Sequence, residues 1–364
     1  MVSIRTPLEY ISKPDIIGES GKFIKKYGNK ALVIGSKTAL KVVGEEFYKS
    51  LVEHKIDYII EVFTGYPTLA TIDRYVQKAA ELGVNLIIGI GGGKVNDTAK
   101  VVGSKTRLPV IAIPTIAATC AAWAAVSILY DEEGDFVTTF LNDNSPRLIL
   151  ADTRIIATAP ARYTYAGIVD TLAKWYETMP NLEIAEDNIT LNISVSGAKL
   201  AFDLLKKHGK KVVEDGQNNI ITQATIDVID AIIYLAGFVG SFTEDSLYGG
   251  FAHPFYHAST RLANTRHRLH GEKVSLGLLI QLFLENKPEA YIIDTIRDFD
   301  QYHLALTLEE IGITDNATED LFVVAERTLK EFPAYTRLGF GTSVVEIVEA
   351  AFQADALVRK VLNK

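Results

Sequence analysis

Residues 87–100 read IIGIGGGKVNDTAK, and this stretch decides the fold of the chain. The apolar run at 87–90 is typical of a buried strand, three glycines follow, and a helical pattern begins at Val95. Glycine has no Cβ, so backbone N–H groups in such a loop can approach a phosphate closely. The helix N-terminus behind the loop adds a partial positive charge. The stretch therefore predicts a pyrophosphate cradle, although an ordinary strand–turn–helix junction has the same pattern. It matches neither the Walker loop nor the GxGxxG fingerprint.

The amino-acid composition argues against several classes of protein. The chain has 364 residues, of which 48% are hydrophobic, so two domains with a large core are expected. The formal net charge of −8 argues against a nucleic-acid partner, because such binding draws on basic surface. No apolar run approaches the ~20 residues that span a bilayer, and residues 1–14 lack the apolar core of a signal peptide. The single cysteine, Cys120, excludes an internal disulfide and a Cys-based structural zinc site. We expect a cytoplasmic protein without a membrane or nucleic-acid partner.

The first half of the chain alternates strand and helix patterns. The predicted strands cover residues 30–35, 58–63, 87–90, 109–114, 127–130, 136–140 and 147–150. The predicted helices between them cover residues 38–54, 69–82 and 95–104. Alternating β and α units predict a parallel sheet covered on both faces, with ligand sites beyond the C-terminal ends of its strands. A hairpin is expected around residues 133–134.

From about residue 157 helical spacing replaces the strand pattern. The predicted helices cover residues 163–177, 187–207, 218–238, 273–284, 319–332 and 344–362. We therefore predict two domains. An α/β domain, in which the glycine loop predicts a dinucleotide site, covers residues 1–156, and an all-α domain covers residues 157–364.

Histidines cluster in the second half. Four of the seven fall between residues 253 and 270. His253 and His257 share a face if their segment is helical, and His270 precedes a predicted helix. Asp170 lies in a segment that is apolar on most sides, where an ionised carboxylate needs a cation. Two imidazoles and one carboxylate with an open fourth position form the ligand set of a catalytic zinc or similar divalent ion. The alternative is that these histidines have a purely structural role, because their spacing alone does not distinguish that role from metal binding.

Several motifs in order resemble the iron-containing alcohol dehydrogenase superfamily. They are GGGK at 91–94 with Asp97 and Lys100, IPTIAAT at 113–119, GIVD at 167–170, AH at 252–253 and HGEK at 270–273. Within that superfamily the chain looks most like the glycerol dehydrogenase branch. The stretches 115–123 and 170–177 look like the hydroxycarboxylate dehydrogenase B subgroup. The resemblance covers essentially the whole chain, and it implies the architecture shared with dehydroquinate synthase.

The resemblance also implies roles for particular residues. The implied metal ligands are Asp170, His253 and His270, so the helical domain is the one expected to bind metal and substrate. We add Lys174 to the catalytic set because of its position one turn after Asp170, although the resemblance does not imply it. The implied dinucleotide contacts are Gly91, Gly92, Gly93, Lys94, Asp97, Thr115, Ala118, Ala124, Val126 and Tyr130. The implied cofactors are NAD(P)(H) and a divalent metal, with zinc expected and ferrous iron as the alternative. The metal would polarise a carbonyl while hydride passes to or from the nicotinamide.

Two departures from the family pattern concern the substrate. Glycerol dehydrogenases carry an aspartate at the position of Cys120, where it is expected to hold substrate hydroxyls. Lys174 lies one turn after Asp170, on the same face, where the iron enzymes have a histidine ligand. An ammonium can pair with a substrate carboxylate. With Cys120, Lys174 and His253 as substrate residues, we predict a small 2-oxo or 2-hydroxy acid, and glycerol or another polyol as the alternative. A simple pairing of Lys174 with Asp170 or Glu177 would weaken both the acid and the metal assignments.

A third departure concerns the dinucleotide. NAD-preferring relatives place an aspartate after the first strand for the ribose hydroxyls, whereas this chain has Ser36 and Lys37. NADP(H) use is therefore plausible, although a solvated surface lysine has the same pattern. Trp123 and Trp175 fit a substrate cleft or a core equally well. His257 and His267 are at best residues that support the metal ligands. The rival classes are a dehydroquinate synthase-type lyase and a non-catalytic dinucleotide sensor. We expect a homo-oligomer that binds a small-molecule substrate.

Overall fold

The computed structural model describes residues 4–183, 188–241 and 249–364. The strands in these ranges are β1 (Glu9–Lys13), β2 (Lys30–Ser36), β3 (Asp57–Phe63), β4 (Leu86–Gly91), β5 (Val110–Pro114), β6 (Val126–Tyr130), β7 (Phe136–Leu141) and β8 (Leu148–Asp152). Six of them form one parallel sheet in the order β1–β8–β5–β4–β2–β3. The other two, β6 and β7, form the antiparallel hairpin that the sequence predicts.

Helices cover the sheet and then form the second half of the chain. In the described ranges they are α1 (Ser20–Ile24), α2 (Lys37–Val42), α3 (Gly44–Glu53), α4 (Leu69–Leu82), α5 (Gly93–Thr106), α6 (Thr153–Ala157), α7 (Ala161–Thr178), α8 (Ile189–Gln217), α9 (Gln223–Asp230), α10 (Ala236–Val239), α11 (Ala252–Ser259), α12 (His270–Leu284), α13 (Glu289–Asp300), α14 (Leu308–Ile311), α15 (Ala317–Glu331) and α16 (Val344–Leu362). Short 3-10 turns occupy Ile16–Glu19, Met179–Glu183, Ala263–Thr265 and Pro333–Leu338, and a π-helical turn occupies Ala231–Leu235.

The core explains this arrangement. β4 is buried along its whole length, and apolar side chains from the central strands feed one cluster on each face of the sheet. A larger cluster joins α7, α11, α12 and α16 in the helical half. The predicted fold, an α/β domain followed by a helical domain, is therefore confirmed. The exact domain limits stay a prediction.

Local differences from the predicted elements have local causes. The helix predicted at 38–54 is interrupted at Gly44, whose φ of 66° lies in the left-handed region. The helix predicted at 218–238 begins at α9 instead, because Thr222 forms a capping box with Thr225. Residue 187, where another helix was predicted to start, lies outside the described residues. Among those residues, no helix is both long and apolar enough to cross a membrane.

Candidate active site

The glycine loop lies at the C-terminal end of β4. Gly91 has a φ of 155°, and a Cβ there would lie 2.9 Å from Val95 Cγ2. Asn96 Nδ2 donates hydrogen bonds to the carbonyl oxygens of Gly91 and Gly92, each at 3.0 Å. Helix α5 begins at Gly93 without a side-chain cap, so its first N–H groups point outward from the helix unpaired by a capping side chain. This arrangement fits an anion such as a dinucleotide phosphate.

Lys94 adds a cation to this loop. Its Nζ lies 3.8 Å from the ring centroid of Tyr66, which comes from the loop after β3. Burial lowers the pKa of Lys94. Thr115 donates its N–H to the carbonyl oxygen of Gly91 at 3.3 Å, and Ala118 lines the same small cavity as the three glycines. These residues therefore meet at one edge of the sheet.

Asp97 and Lys100 have internal partners. Lys100 Nζ donates to the carbonyl oxygens of Ala124 at 2.9 Å and Val126 at 2.5 Å, and it pairs with Asp97 Oδ1 at 2.9 Å. The other oxygen of Asp97 accepts the N–H of Ile128 at 3.2 Å. Both oxygens of the Asp97 carboxylate thus help to hold the segment leading into the hairpin, and its predicted contact with the cofactor stays a prediction.

Asp170, His253 and His270 come together from α7, α11 and α12. One possible ligand atom from each lies within 4.8 Å of the others. The Nε2 atoms of His253 and His270 lie 3.1 Å and 3.0 Å from Asp170 Oδ1. Close packing of α12 on α7 makes this possible, since a Cβ on Gly271 would lie 2.0 Å from the carbonyl oxygen of Ala166. Two nitrogens and one carboxylate fit a zinc-like divalent ion.

Charge is concentrated at this cluster. The side chain of Asp170 is 2% exposed, and burial alone would raise its pKa, but Lys174, His270 and His253 hold the pKa well below its ordinary value. Burial also opposes protonation of His253, yet Glu177 and Asp170 outweigh it and raise the pKa of His253 to about 9. For His270 burial prevails and lowers the pKa. The cluster therefore keeps a buried carboxylate ionised and faces it with two imidazoles.

Lys174 and Cys120 adjoin the cluster. Lys174 Nζ lies 3.9 Å from Asp170 Oδ1, so the pairing with Asp170 that the sequence left open is present and weakens the acid and metal assignments. The distance is longer than a hydrogen bond, so Asp170 Oδ1 keeps its closer contacts with the two histidines.

Burial raises the pKa of the Cys120 thiol, and the charges of Lys174 and Asp170 both act on it. Cys120 lies between Thr119 and Ala121, which line the glycine cavity. A Cβ on Gly167, one turn before Asp170, would lie 2.0 Å from the carbonyl oxygen of Ala117, so this loop packs against the helix that carries Asp170.

Of the remaining residues singled out in the sequence, some lie beside the histidine cluster and others lie in the core. Tyr130 and Tyr256 join their hydroxyls at 2.9 Å, and the Tyr256 ring lies 4.1 Å from that of His270. His257 instead stacks on Phe332, with ring centroids 5.4 Å apart. Trp123 is buried and donates its Nε1–H to Ser241 Oγ at 3.0 Å.

Other predicted positions lie away from the cluster. Trp175 packs beside Phe202, with ring centroids 6.1 Å apart. Ser36 Oγ accepts the Ala39 N–H and so caps α2, while the neighbouring Lys37 is exposed. An exposed lysine at this helix start can reach a ligand phosphate, but a lysine that binds no phosphate would be exposed in the same way.

Sequence reasoning missed the functions of two residues. Asn96 holds the glycine loop through its two hydrogen bonds. Glu177, considered only as a partner for Lys174, contacts His253 Nδ1 at 2.5 Å. The signal for Glu177 was its spacing, because it stands seven residues after Asp170 and thus on the same helical face.

Known proteins resemble this chain over its length. The family profile described as iron-containing alcohol dehydrogenase matches residues 7–153. The glycerol dehydrogenase of Citrobacter freundii is 32% identical over 97% of this chain and 97% of its own length. Hydroxycarboxylate dehydrogenase A of Escherichia coli K12 is 35% identical over 70% of this chain and 71% of its own. The crystal structure of a probable glycerol dehydrogenase from Sinorhizobium meliloti 1021 superimposes with a TM-score of 0.89 at 27% identity, covering 99% of this chain and 100% of that one.

These similarities confirm the resemblance that the motifs indicated, including the glycerol dehydrogenase-like branch. A hydroxycarboxylate dehydrogenase, the A enzyme, is among the relatives, and the finer resemblance to the B subgroup stays a prediction. The relatives are dehydrogenases and reductases. This chain therefore belongs to the iron-containing alcohol dehydrogenase family and is an oxidoreductase acting on CH–OH groups.

Proposed function

We propose that this protein transfers hydride between a nicotinamide dinucleotide and a small polyol of the glycerol type. A divalent metal, zinc in the first instance, would be held by Asp170, His253 and His270. The observation that carries the proposal is the convergence of these three side chains from three helices beside the loop that lines the glycine cavity. The full-length similarity to glycerol dehydrogenases favours a polyol over the acid that the sequence alone put first.

The chain's own residues have defined tasks in this proposal. When bound, the metal would polarise the carbon–oxygen bond of the substrate while the nicotinamide exchanges hydride with that carbon. The uncapped amides at the start of α5 and the Lys94 ammonium would bind the dinucleotide phosphates. Lys174 helps to keep Asp170 ionised, so that the carboxylate is ready for a cation. Tyr130, fixed through Tyr256, would form part of the nicotinamide wall.

The test uses metal-loaded protein. Initial rates are measured with glycerol and NAD⁺ or NADP⁺, and with dihydroxyacetone and the reduced cofactors, before and after chelation and after reloading with Zn²⁺ or Fe²⁺. We expect turnover that chelation abolishes and one of the ions restores. Absence of turnover with every C2–C4 polyol and hydroxycarbonyl, in fully loaded protein, would overturn the polyol proposal.

A second candidate substrate class is the small 2-oxo or 2-hydroxy acids. The observation that favours it is a buried ammonium, Lys174, next to a neutral thiol, Cys120, at the wall of the site. A substrate carboxylate could pair with that ammonium and would meet no aspartate at position 120. The similarity to hydroxycarboxylate dehydrogenase A supports the same class.

Two substitutions at one position separate the classes. Cys120→Asp adds a negative charge, and Cys120→Ser is the matched neutral control. If acids are the substrates, Cys120→Asp should lower kcat/KM for 2-oxobutyrate by about tenfold or more, equivalent to ~1.4 kcal/mol, and Cys120→Ser should not. If polyols are the substrates, Cys120→Asp should raise kcat/KM for glycerol. A better acid rate in Cys120→Asp than in Cys120→Ser would overturn the acid candidate.

The choice of dinucleotide belongs to the same proposal. Ser36 and the exposed Lys37 follow β2, where an aspartate would disfavour a 2′-phosphate. We infer that NADP(H) is accepted alongside NAD(H). A cytoplasmic location and a homo-oligomeric assembly stay predictions from the sequence.

A further inference from the structure

Glu177 lies in the last turn of α7, the helix that carries Asp170. Its side chain is 1% exposed. Glu177 Oε2 lies 2.5 Å from His253 Nδ1, and Glu177 Oε1 accepts the backbone N–H of His253 at 3.0 Å. Both carboxylate oxygens are therefore used on one residue of α11, so they fix its ring and its main chain together.

This contact determines which nitrogen of His253 is available. A carboxylate accepts a hydrogen bond, so Nδ1 carries the proton that it shares with Glu177. In the neutral imidazole the lone pair is then on Nε2. Nε2 is the atom that lies 3.1 Å from Asp170 Oδ1. A metal that displaced the Nε2 proton would therefore meet a lone pair directed to the place where His270 Nε2 also points.

The surrounding backbone leaves space for this one carboxylate. A Cβ on Gly250 would lie 2.1 Å from Glu177 Cγ and 2.4 Å from Glu177 Cβ. Asn181 Nδ2 donates to the carbonyl oxygen of Glu177 at 2.8 Å and fixes the last turn of the helix. A side chain at position 250 would therefore displace Glu177 from His253.

We propose that Glu177 is a positioning residue that fixes the tautomer and orientation of His253 and thereby sets the affinity of the site for a divalent metal. The inference rests on the proposed metal site of Asp170, His253 and His270. Carboxylates that hold a ligating histidine typically contribute about 10–100-fold to metal affinity. Glu177 acts through His253 and has no direct contact with a ligand in this role.

The experiment measures zinc affinity by competition with a chromogenic chelator, in full-length protein. Glu177→Ala should raise the Kd for Zn²⁺ by about 10–100-fold. Glu177→Gln keeps the volume but loses the charge, and its single oxygen can accept only part of the two contacts, so an intermediate rise is expected. Gly250→Ala should reproduce Glu177→Ala without touching the carboxylate chemically.

Gly249→Ala is the matched control. A Cβ on Gly249 would lie 3.6 Å from Tyr335 Cα, which is ordinary contact. We expect this variant to bind Zn²⁺ like the wild type. A readout specific to positioning is the ¹⁵N spectrum of histidine-labelled, zinc-loaded protein. In a proton-correlated version of this spectrum, the Nδ1–H of His253 should resonate at low field in the wild type, because its proton is hydrogen-bonded to the Glu177 carboxylate, and Glu177→Ala should lose this low-field position.

The variants distinguish a failure of the proposed metal site from a failure of the proposed role of Glu177. If the wild type binds no Zn²⁺, or Asp170→Asn binds it as tightly, the proposed metal site fails. If Asp170→Asn loses Zn²⁺ while Glu177→Gln and Gly250→Ala bind like the wild type, the role of Glu177 fails alone. Because Glu177→Gln keeps the volume of the native side chain, this variant still tests the role of Glu177 if Glu177→Ala does not fold.

Discussion

Two buried aspartate–lysine pairs, one on α5 and one on α7, differ in what surrounds them. In the first, Lys100 lies 2.9 Å from Asp97 and also donates to two backbone carbonyl oxygens. In the second, Lys174 lies 3.9 Å from Asp170, whose Oδ1 faces the Nε2 atoms of two histidines. The pairs have nearly the same spacing in sequence, three and four residues.

Burial acts to raise the pKa of both carboxyl groups, but their net pKa shifts are opposite. Burial raises the pKa of Asp97 in spite of Lys100, whereas Lys174 and the two histidines outweigh burial and hold the pKa of Asp170 low. The Asp97–Lys100 pair, in which both carboxylate oxygens and the ammonium have internal partners, therefore joins parts of the fold. A carboxylate surrounded by several nitrogens that can turn to a common centre is prepared for a metal.

The largest difference should appear when each aspartate is neutralised. Asp170→Asn should lower kcat/KM of the metal-loaded enzyme by about a thousandfold, because a polarising metal contributes several kcal/mol, here ~4 kcal/mol. Metal content, measured by elemental analysis, should fall with it. Asp97→Asn is the control and should keep the metal. Equal metal loss in both variants would remove the distinction between the pairs.

A smaller effect separates the two lysines in stability. Lys100→Met leaves Asp97 buried beside two carbonyl oxygens without their donor, and should lower the free energy of unfolding by about 3 kcal/mol. Lys174→Met should lower it by at most about 1 kcal/mol, since two imidazole nitrogens still face Asp170. Urea titration of chelated protein measures both values. Losses of the same size would contradict the assignment of Lys100 as the structural member.

The smallest effect concerns a third buried lysine, Lys273, whose Nζ lies 3.5 Å from the Thr265 hydroxyl. Burial lowers its pKa from 10.5 to about 7, and the charges of Arg266 and Lys94 add to this, although Asp135 and Glu272 oppose it. Between these two pKa values the unfolded chain holds a proton that the folded chain has lost, so stability rises with pH in that window.

Lys273→Met removes this contribution. Between pH 7.5 and 9.5 the wild type should gain stability relative to the variant by about 1 kcal/mol per pH unit. Urea unfolding at several pH values provides the comparison. Parallel pH profiles for the two proteins would indicate that Lys273 stays charged in the folded protein.

Local signals explain why parts of the fold were predictable. Helix α4 has the predicted bounds because Thr68 caps its start and Gly83, with a φ of 57°, ends it. Strand β1 was missed because residues 9–13 mix polar and apolar side chains, and its parallel partner β8 lies about 140 residues later in the chain. Long-range pairing leaves no periodic pattern in such a short segment.

In the candidate site, too, some features were predictable from the sequence and others became visible only in the structure. The glycine loop, Asp170 and the histidines stood out through residue type, spacing and family motifs, so the sequence by itself determined the fold, the family and the residues of interest. Only the tertiary structure decided that Asp97 is internally paired, that Lys174 pairs with Asp170, and that Glu177 holds His253 from 76 residues away. Hydrogen bonds act over about 3 Å in space, and sequence patterns report only neighbours along one element.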